Sequence, residues 1–218
     1  MFPTLTNTKF APINLNDLAQ QWHEQNDIQD HHLNPLLDPN ICSEMIRAAH
    51  QNMETDFSHG GWLEPRHVLW RGSYLDEKET HIHLGIDINV PKGTPVAVNL
   101  DATVLRIDCD TPEEHGWGTR VIVQPHHAPV VLIYAHLSPA VRVQIGETIR
   151  ANTIIGDVGA PENNGGWFPH LHVQAVTTPH YKELLKDDLR NLDGYGALNE
   201  QADLSTLFPD PSPWIQIH

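Results

Sequence analysis

Only two cysteines, Cys42 and Cys109, occur in the 218 residues. Two thiols so far apart make neither a disulfide framework nor a zinc-finger spacing, so they read as ordinary reduced side chains. Basic residues are also scarce: 13 Lys plus Arg stand against 28 Asp plus Glu, a formal net charge of −15. A nucleic-acid binder shows a basic face, and an anionic lipid or polymer surface selects for one; this charge argues against both. No apolar run approaches the roughly 18 residues that a membrane span needs, so no membrane partner is expected. The first residues, MFPTLTNTKFAPINLND, lack a basic start followed by a long apolar stretch. The simplest expected address is therefore the cytoplasm. The abundant residue is histidine, at 16 copies.

Three segments are expected. Residues 1–57 read as a helical, polar extension. Asn14 or Asn16 caps a first helix through Leu18, Ala19 and Trp22, and a second runs from Ser43 through Met45, Ile46 and Ala49. Pro35 and Pro39 read as the loop between them. Residues 58–178 change texture, with short β-rich runs at 81–90, 94–100, 102–108, 119–124, 130–136, 153–158 and 170–176 divided by Gly, Pro and Asp. That pattern predicts a mainly β domain built on an antiparallel sheet or sandwich. Residues 179–218 read as one amphipathic helix over 181–192, whose acidic run forms a solvated face, and a Pro-extended tail packing on the domain.

Even spacing on a strand projects side chains to one face, so His81, His83 and Asp87 are expected together. His170 and His172 share the same geometry at the start of an apolar strand, after the loop Asn163-Asn-Gly-Gly-Trp-Phe-Pro169. His136 ends the apolar run 130–134. Imidazoles and a carboxylate on neighbouring strands suit a catalytic metal, which needs three ligands and an open position. Five residues, His83, Asp87, His136, His170 and His172, fill the roles of ligand, base and charge stabiliser; spacing alone does not divide them.

The order H-x-x-x-D, P-x-G-T-P-V, Y-x-H-L and H-x-H, spread over residues 74–175, resembles the lysostaphin/LytM-type zinc metallopeptidases. The resemblance implies Zn2+ held by His83, Asp87 and His172, with His136 and His170 as the catalytic pair. It also implies a β fold of the duplicated hybrid-motif type and a peptide substrate of the peptidoglycan kind. A tyrosine upstream of the first ligand assists the oxyanion in some members, and Tyr74 stands in a comparable place. The chain departs from the family at Asp101-Ala-Thr-Val and in the loop before His170. Asn164, Trp167 and Phe168 of that loop, with Arg71, are the expected substrate contacts.

Other readings compete. His81-x-His83 with Asp87 also mimics a cupin-like oxidoreductase or isomerase site, and a metal-binding module without catalysis is a third possibility. Trp62 reads as packing, and the pairs His31-His32 and His126-His127 as solvated surface. His81 reads as a neighbour of the metal set outside its ligands.

Overall fold

The computed structural model describes residues 1–28, 33–109 and 116–217; His31 and His32 lie outside them. The strands are β1 (Phe10–Pro12), β2 (Phe57–Gly60), β3 (Ile82–His83), β4 (Ile86–Asn89), β5 (Pro95–Ala97) and β6 (Ala102–Cys109). They continue with β7 (Thr119–Pro125), β8 (Val130–Leu137), β9 (Thr148–Ile149), β10 (Ile154–Asp157), β11 (Leu171–Thr177) and β12 (Tyr195–Gly196). The helices are α1 (Leu15–Gln25), α2 (Pro39–Asn52), α3 (Tyr74–Glu77), α4 (Thr178–Leu184) and α5 (Gln201–Leu207).

Eight strands form one mixed sheet in the order β1-β2-β4-β11-β8-β7-β6-β9. Its pairs are antiparallel except β1 with β2. The mainly β reading holds. Two small ribbons flank the sheet, β5 with β10 and β3 with β12.

Both faces of the sheet are covered, which explains why β8 reads as an unbroken apolar run. Val130, Leu132 and Tyr134 enter one core cluster, while Val131, Ile133 and Ala135 enter the other. The same two-residue period sorts β11. Leu171, Val173 and Ala175 join the first cluster, and Val176 joins the second. His172 and Gln174 therefore point to the second face. Asp87, set between Ile86 and Ile88 of the first cluster, points that way too. A third cluster packs α1 and α2 against Leu69, Trp70, Leu75, Trp167 and Phe168, beside the sheet end that carries these polar residues.

Several expectations need correction. The strand foreseen over 81–90 breaks at Leu84-Gly85, where the Leu84 N–H donates to Gly194 O at 2.9 Å instead of a sheet neighbour. Asn14 caps α1, accepting from the Asp17 N–H at 2.9 Å. Asn16 turns inward and accepts from the N–H of Val68. α2 starts at Pro39, an N-terminal helical position that tolerates proline, with Asp38 as its cap. The helix foreseen over 181–192 is α4, ending at Leu184. Asp188 and Leu189 turn the chain through left-handed backbone, φ 54° and 60°, which buries Leu189 and Leu192. The solvated helix face foreseen over 183–193 therefore does not exist as one face. The tail forms α5 and a 3-10 turn at Ser212–Trp214. No helix among the described residues is long and apolar enough to cross a membrane.

Candidate metal centre

The register of the sheet assembles the site. His172 on β11 lies opposite Asp87 on β4 and Ala135 on β8. His83 comes from β3, just before the Gly85 break. His83 Nε2 stands 3.0 Å from His172 Nδ1 and 3.3 Å from Asp87 Oδ1, and His172 Nδ1 is 3.0 Å from the same oxygen. All three residues are buried.

The other side of each ring decides what these atoms carry. His83 Nδ1 is 2.8 Å from Gly61 O, and a carbonyl oxygen only accepts, so the ring hydrogen sits on Nδ1. His172 Nε2 is 3.1 Å from Gln174 Oε1. The Gln174 amide is held that way round because its Nε2 donates to Asp193 O at 3.1 Å. The His172 hydrogen is therefore on Nε2. Two imidazole lone pairs and a carboxylate oxygen thus converge with no hydrogen between them, an arrangement that calls for a cation at its centre. A proton is a poor candidate, since burial and then the Arg66 charge push His83 down to about 3. Two imidazoles and one carboxylate within mutual reach suit zinc, and the orienting hydrogen bonds are those of a metal-ligating histidine.

Asp87 is fixed from behind. Burial alone would raise its carboxyl, but the adjoining His83 imidazole and the Arg66 charge hold it well below the usual range. Arg66 Nη1 donates to Asp87 Oδ2 at 2.6 Å, and Arg66 Nε donates to Glu64 Oε1 at 2.9 Å. The guanidinium is fully buried, and its Nη2 packs so tightly on Gly61 that an added Cβ there would stand 2.2 Å away. With one oxygen committed to Arg66, Asp87 presents the other to the histidines.

His136 and His170 flank the triad with ring centroids 4.5 Å apart. His136 Nδ1 donates to Asn164 O at 2.8 Å, and His170 Nδ1 to Phe168 O at 2.7 Å, so each keeps its Nε2 lone pair free. Burial lowers both pKa values, and for His136 the neighbouring His170 lowers it further. Both rings are therefore neutral near pH 7. The β7–β8 register shifts here, with Thr119 opposite Leu137 but Val121 opposite Tyr134, which leaves one extra residue on β8. His136 accordingly adopts left-handed backbone, φ 61°. Such bulges re-aim side chains next to sites, and strained backbone gathers there.

These groups open on a cavity of about 400 Å³, also lined by Trp70, Tyr74, Trp117, Trp167, Asp193 and Tyr195. The expected residues divide sharply. Tyr74 lines the cavity at the start of α3, and Trp167 lines it with its Nε1 donating to Gly116 O. Phe168 does not line it; it is buried behind, stacked on His170 at 4.4 Å. Asn164 is fully buried, with its amide spent on the Trp167 backbone, so it shapes the loop instead of meeting a ligand. Arg71 does not line the cavity either. His81 turns away, 3.8 Å from Asp76 and beside His67, because strand geometry begins only at Ile82. The cupin-like pairing of His81 with His83 is not formed. Trp62 is a packing residue whose Nε1 donates to Phe208 O.

Arg66, Trp70, Asp193 and Tyr195 escaped the sequence reading. Tyr195 sits opposite His83 in the β3–β12 ribbon, its hydroxyl receiving hydrogen bonds from Arg66 and Trp70. Its one local signal is the pair of flanking glycines, Gly194 and Gly196.

Residues 81–183 match the model of peptidase family M23. Over 94 residues the chain is 34% identical to the DD-carboxypeptidase/endopeptidase Mpg of Neisseria meningitidis serogroup B, covering 43% of this chain and 20% of that protein. The chain thus spans about a fifth of the length of the curated relatives it matches. Among solved structures, the catalytic domain of the antimicrobial peptidase lysostaphin from Staphylococcus simulans is 26% identical, with a TM-score of 0.39 over 44% of this chain and 68% of that one. The catalytic domain of the prophage-encoded M23 protein EnpA from Enterococcus faecalis is 27% identical, with a TM-score of 0.38 over 44% and 69%.

Proposed function

We propose, from the match of residues 81–183 to peptidase family M23, that the chain is a zinc-dependent endopeptidase acting on peptidoglycan-type or related small peptides. The observation that carries the proposal is the meeting of two imidazole lone pairs and one carboxylate oxygen within 3.0 to 3.3 Å. His83, Asp87 and His172 hold the metal. Bound there, zinc supplies a Lewis acid for the scissile carbonyl and lowers the pKa of water towards ~7.

The protein's own groups do the rest. His136 and His170 present neutral Nε2 atoms to the cavity, each ring fixed by its Nδ1–H on a backbone carbonyl. A neutral imidazole accepts the proton of attacking water at Nε2 and returns it to the leaving amine. Asn164 and Phe168 contribute through those carbonyls. The aromatic walls hold the peptide and limit water. Tyr74 lines the cavity as the candidate donor to the oxyanion.

Metal analysis of the purified protein together with assays on peptidoglycan-derived peptides tests this. His83→Ala and His172→Ala should lose zinc and activity together. His136→Ala should keep one zinc per chain and lose roughly 100-fold or more in turnover. Full zinc retention by His83→Ala removes the assigned site. Full turnover by His136→Ala removes its role.

A further inference from the structure

The charged groups that line the cavity are all of one sign. Asp87 and Asp193 are on its wall, and no Lys or Arg among the described residues lines it. Asp87 is committed to Arg66 and to His83, His172 and His170. Asp193 is not. Its Oδ1 accepts from the N–H of Gly194 at 2.7 Å and of Tyr195 at 3.3 Å, which fixes the plane of the carboxylate. Its Oδ2 has no hydrogen-bond partner among the described residues. Through its own carbonyl, Asp193 is tied to Gln174, the residue that orients His172.

The rest of the wall has matching character. Trp70, Trp117, Trp167 and Tyr195 line the same cavity, and aromatic faces attract ammonium and repel carboxylate. The chain supplies an example: the Lys78 ammonium stands 5.2 Å from the centre of the Tyr74 ring, and its charge, after the two backbone N–H groups, partly offsets the rise that burial gives the Asp193 carboxyl. Apart from the metal centre, a terminal carboxylate entering this cavity meets the like charge of Asp193 and no Lys or Arg on the wall. A primary ammonium meets a fixed carboxylate oxygen among aromatic rings.

We propose that the cavity selects peptides carrying a primary ammonium group close to the metal centre, and that Asp193 is the residue that recognises it. This rests on the peptide-hydrolase reading of the site and adds the substrate's charge to it. The ammonium has two possible sources, the α-amine of a chain end or the ω-amine of a basic side chain. Asp193 lies outside residues 81–183, so this selectivity is a property of the C-terminal segment.

The test is binding to the zinc-loaded protein, followed by tryptophan fluorescence and calorimetry. The probes are pentaglycine, N-acetyl-pentaglycine, and an N-acetylated pentapeptide amide with one central lysine among glycines. Pentaglycine or the lysine peptide should bind roughly 10- to 100-fold more tightly than N-acetyl-pentaglycine, the range of one charge-assisted hydrogen bond. Whichever amine peptide is preferred identifies the source. Asp193→Asn keeps Oδ1 as acceptor for both backbone N–H groups, so fold and zinc content should be unchanged. In that variant the preference should shrink to less than threefold, with affinity for N-acetyl-pentaglycine unaltered. Equal binding of all three peptides by the parent protein overturns the proposal, as does a preference that survives in Asp193→Asn. Amine preference without hydrolysis of any peptide would remove the peptidase reading and leave the ammonium site standing. Hydrolysis without amine preference would do the reverse.

Discussion

Gly85 shows how closely a backbone position and a ligand can be coupled. A Cβ placed there would lie 2.5 and 2.6 Å from Cε1 and Nε2 of His172, and 2.7 Å from Val173 O. The last contact is with backbone and cannot be relieved by a rotamer, so Gly85→Ala must move the imidazole off its Gln174 hydrogen bond. The expected cost is roughly 1–3 kcal/mol in stability and 10- to 100-fold in zinc affinity. Chelator competition on the purified variant checks it, and unchanged affinity would show that the ring tolerates displacement. Arg66 poses the opposite problem. Arg66→Met leaves the Glu64 and Asp87 carboxylates buried without their shared cation, and breaking a buried ion pair in this way costs about 3–5 kcal/mol. Denaturant titration of the metal-free protein reads that loss directly, and a change below about 1 kcal/mol would mean the guanidinium is not the compensating charge.

At the level of elements, legibility followed how local the determining physics is. The strands around 102–108, 119–124, 130–136 and 170–176 stand where apolar runs and turn residues put them, because both sheet faces are buried there. The strands β1, β2, β9 and β12 left no such trace. They are two to four residues long and exist through partners far away in sequence, as in the pairing of Tyr195 with His83. The same division runs through the site. The five candidates His83, Asp87, His136, His170 and His172 stand on spacing and strand alternation, while their division into ligands and catalytic pair rests on the family resemblance. Arg66, Asp193 and Tyr195 arrive from flanking segments, so nothing in their own neighbourhood advertises them. His81 precedes the strand, which begins at Ile82, so alternation does not carry it to the face of His83. Helix ends obey local rules, and Pro39 stands at the start of α2, where proline is tolerated. Asp38 caps α2 by accepting from the Asn40 N–H at 2.8 Å, and Asp38→Ala should cost about 1 kcal/mol. Because α2 packs beside the site without contributing a ligand, zinc content should not change in that variant; thermal melting with metal analysis separates the two.

Across the whole molecule, the abundance of histidine becomes a statement about acid. Burial lowers the pKa of His50, His59, His81, His83, His136, His170 and His180 below the ordinary value of 6.5. A group that is neutral when folded but protonates readily when unfolded favours the unfolded chain as pH falls through 6.5, and goes on doing so until its own folded pKa is reached. For His83 that lower limit is about 3. Each of the fully buried rings, His83, His136 and His170, steepens the loss by on the order of 1 kcal/mol per pH unit within its window, while the partly exposed His50, His59, His81 and His180 add less because solvent screens them. Asp87 adds a second loss lower down: its folded pKa is depressed, so its stabilising contribution is complete above the ordinary carboxylate range and disappears as pH drops below it. The two effects have the same sign and act in succession. The melting temperature should therefore be level from pH 8 to 7, fall from just below 7, and keep falling through 4. Zinc-loaded protein should be more stable at neutral pH and should lose that extra margin in the same acid window, because the ligands bind metal only when unprotonated. Melting curves at closely spaced pH values, with and without chelator, decide the matter, and a melting temperature level between pH 7 and 5 would mean that the buried rings take up protons without penalty.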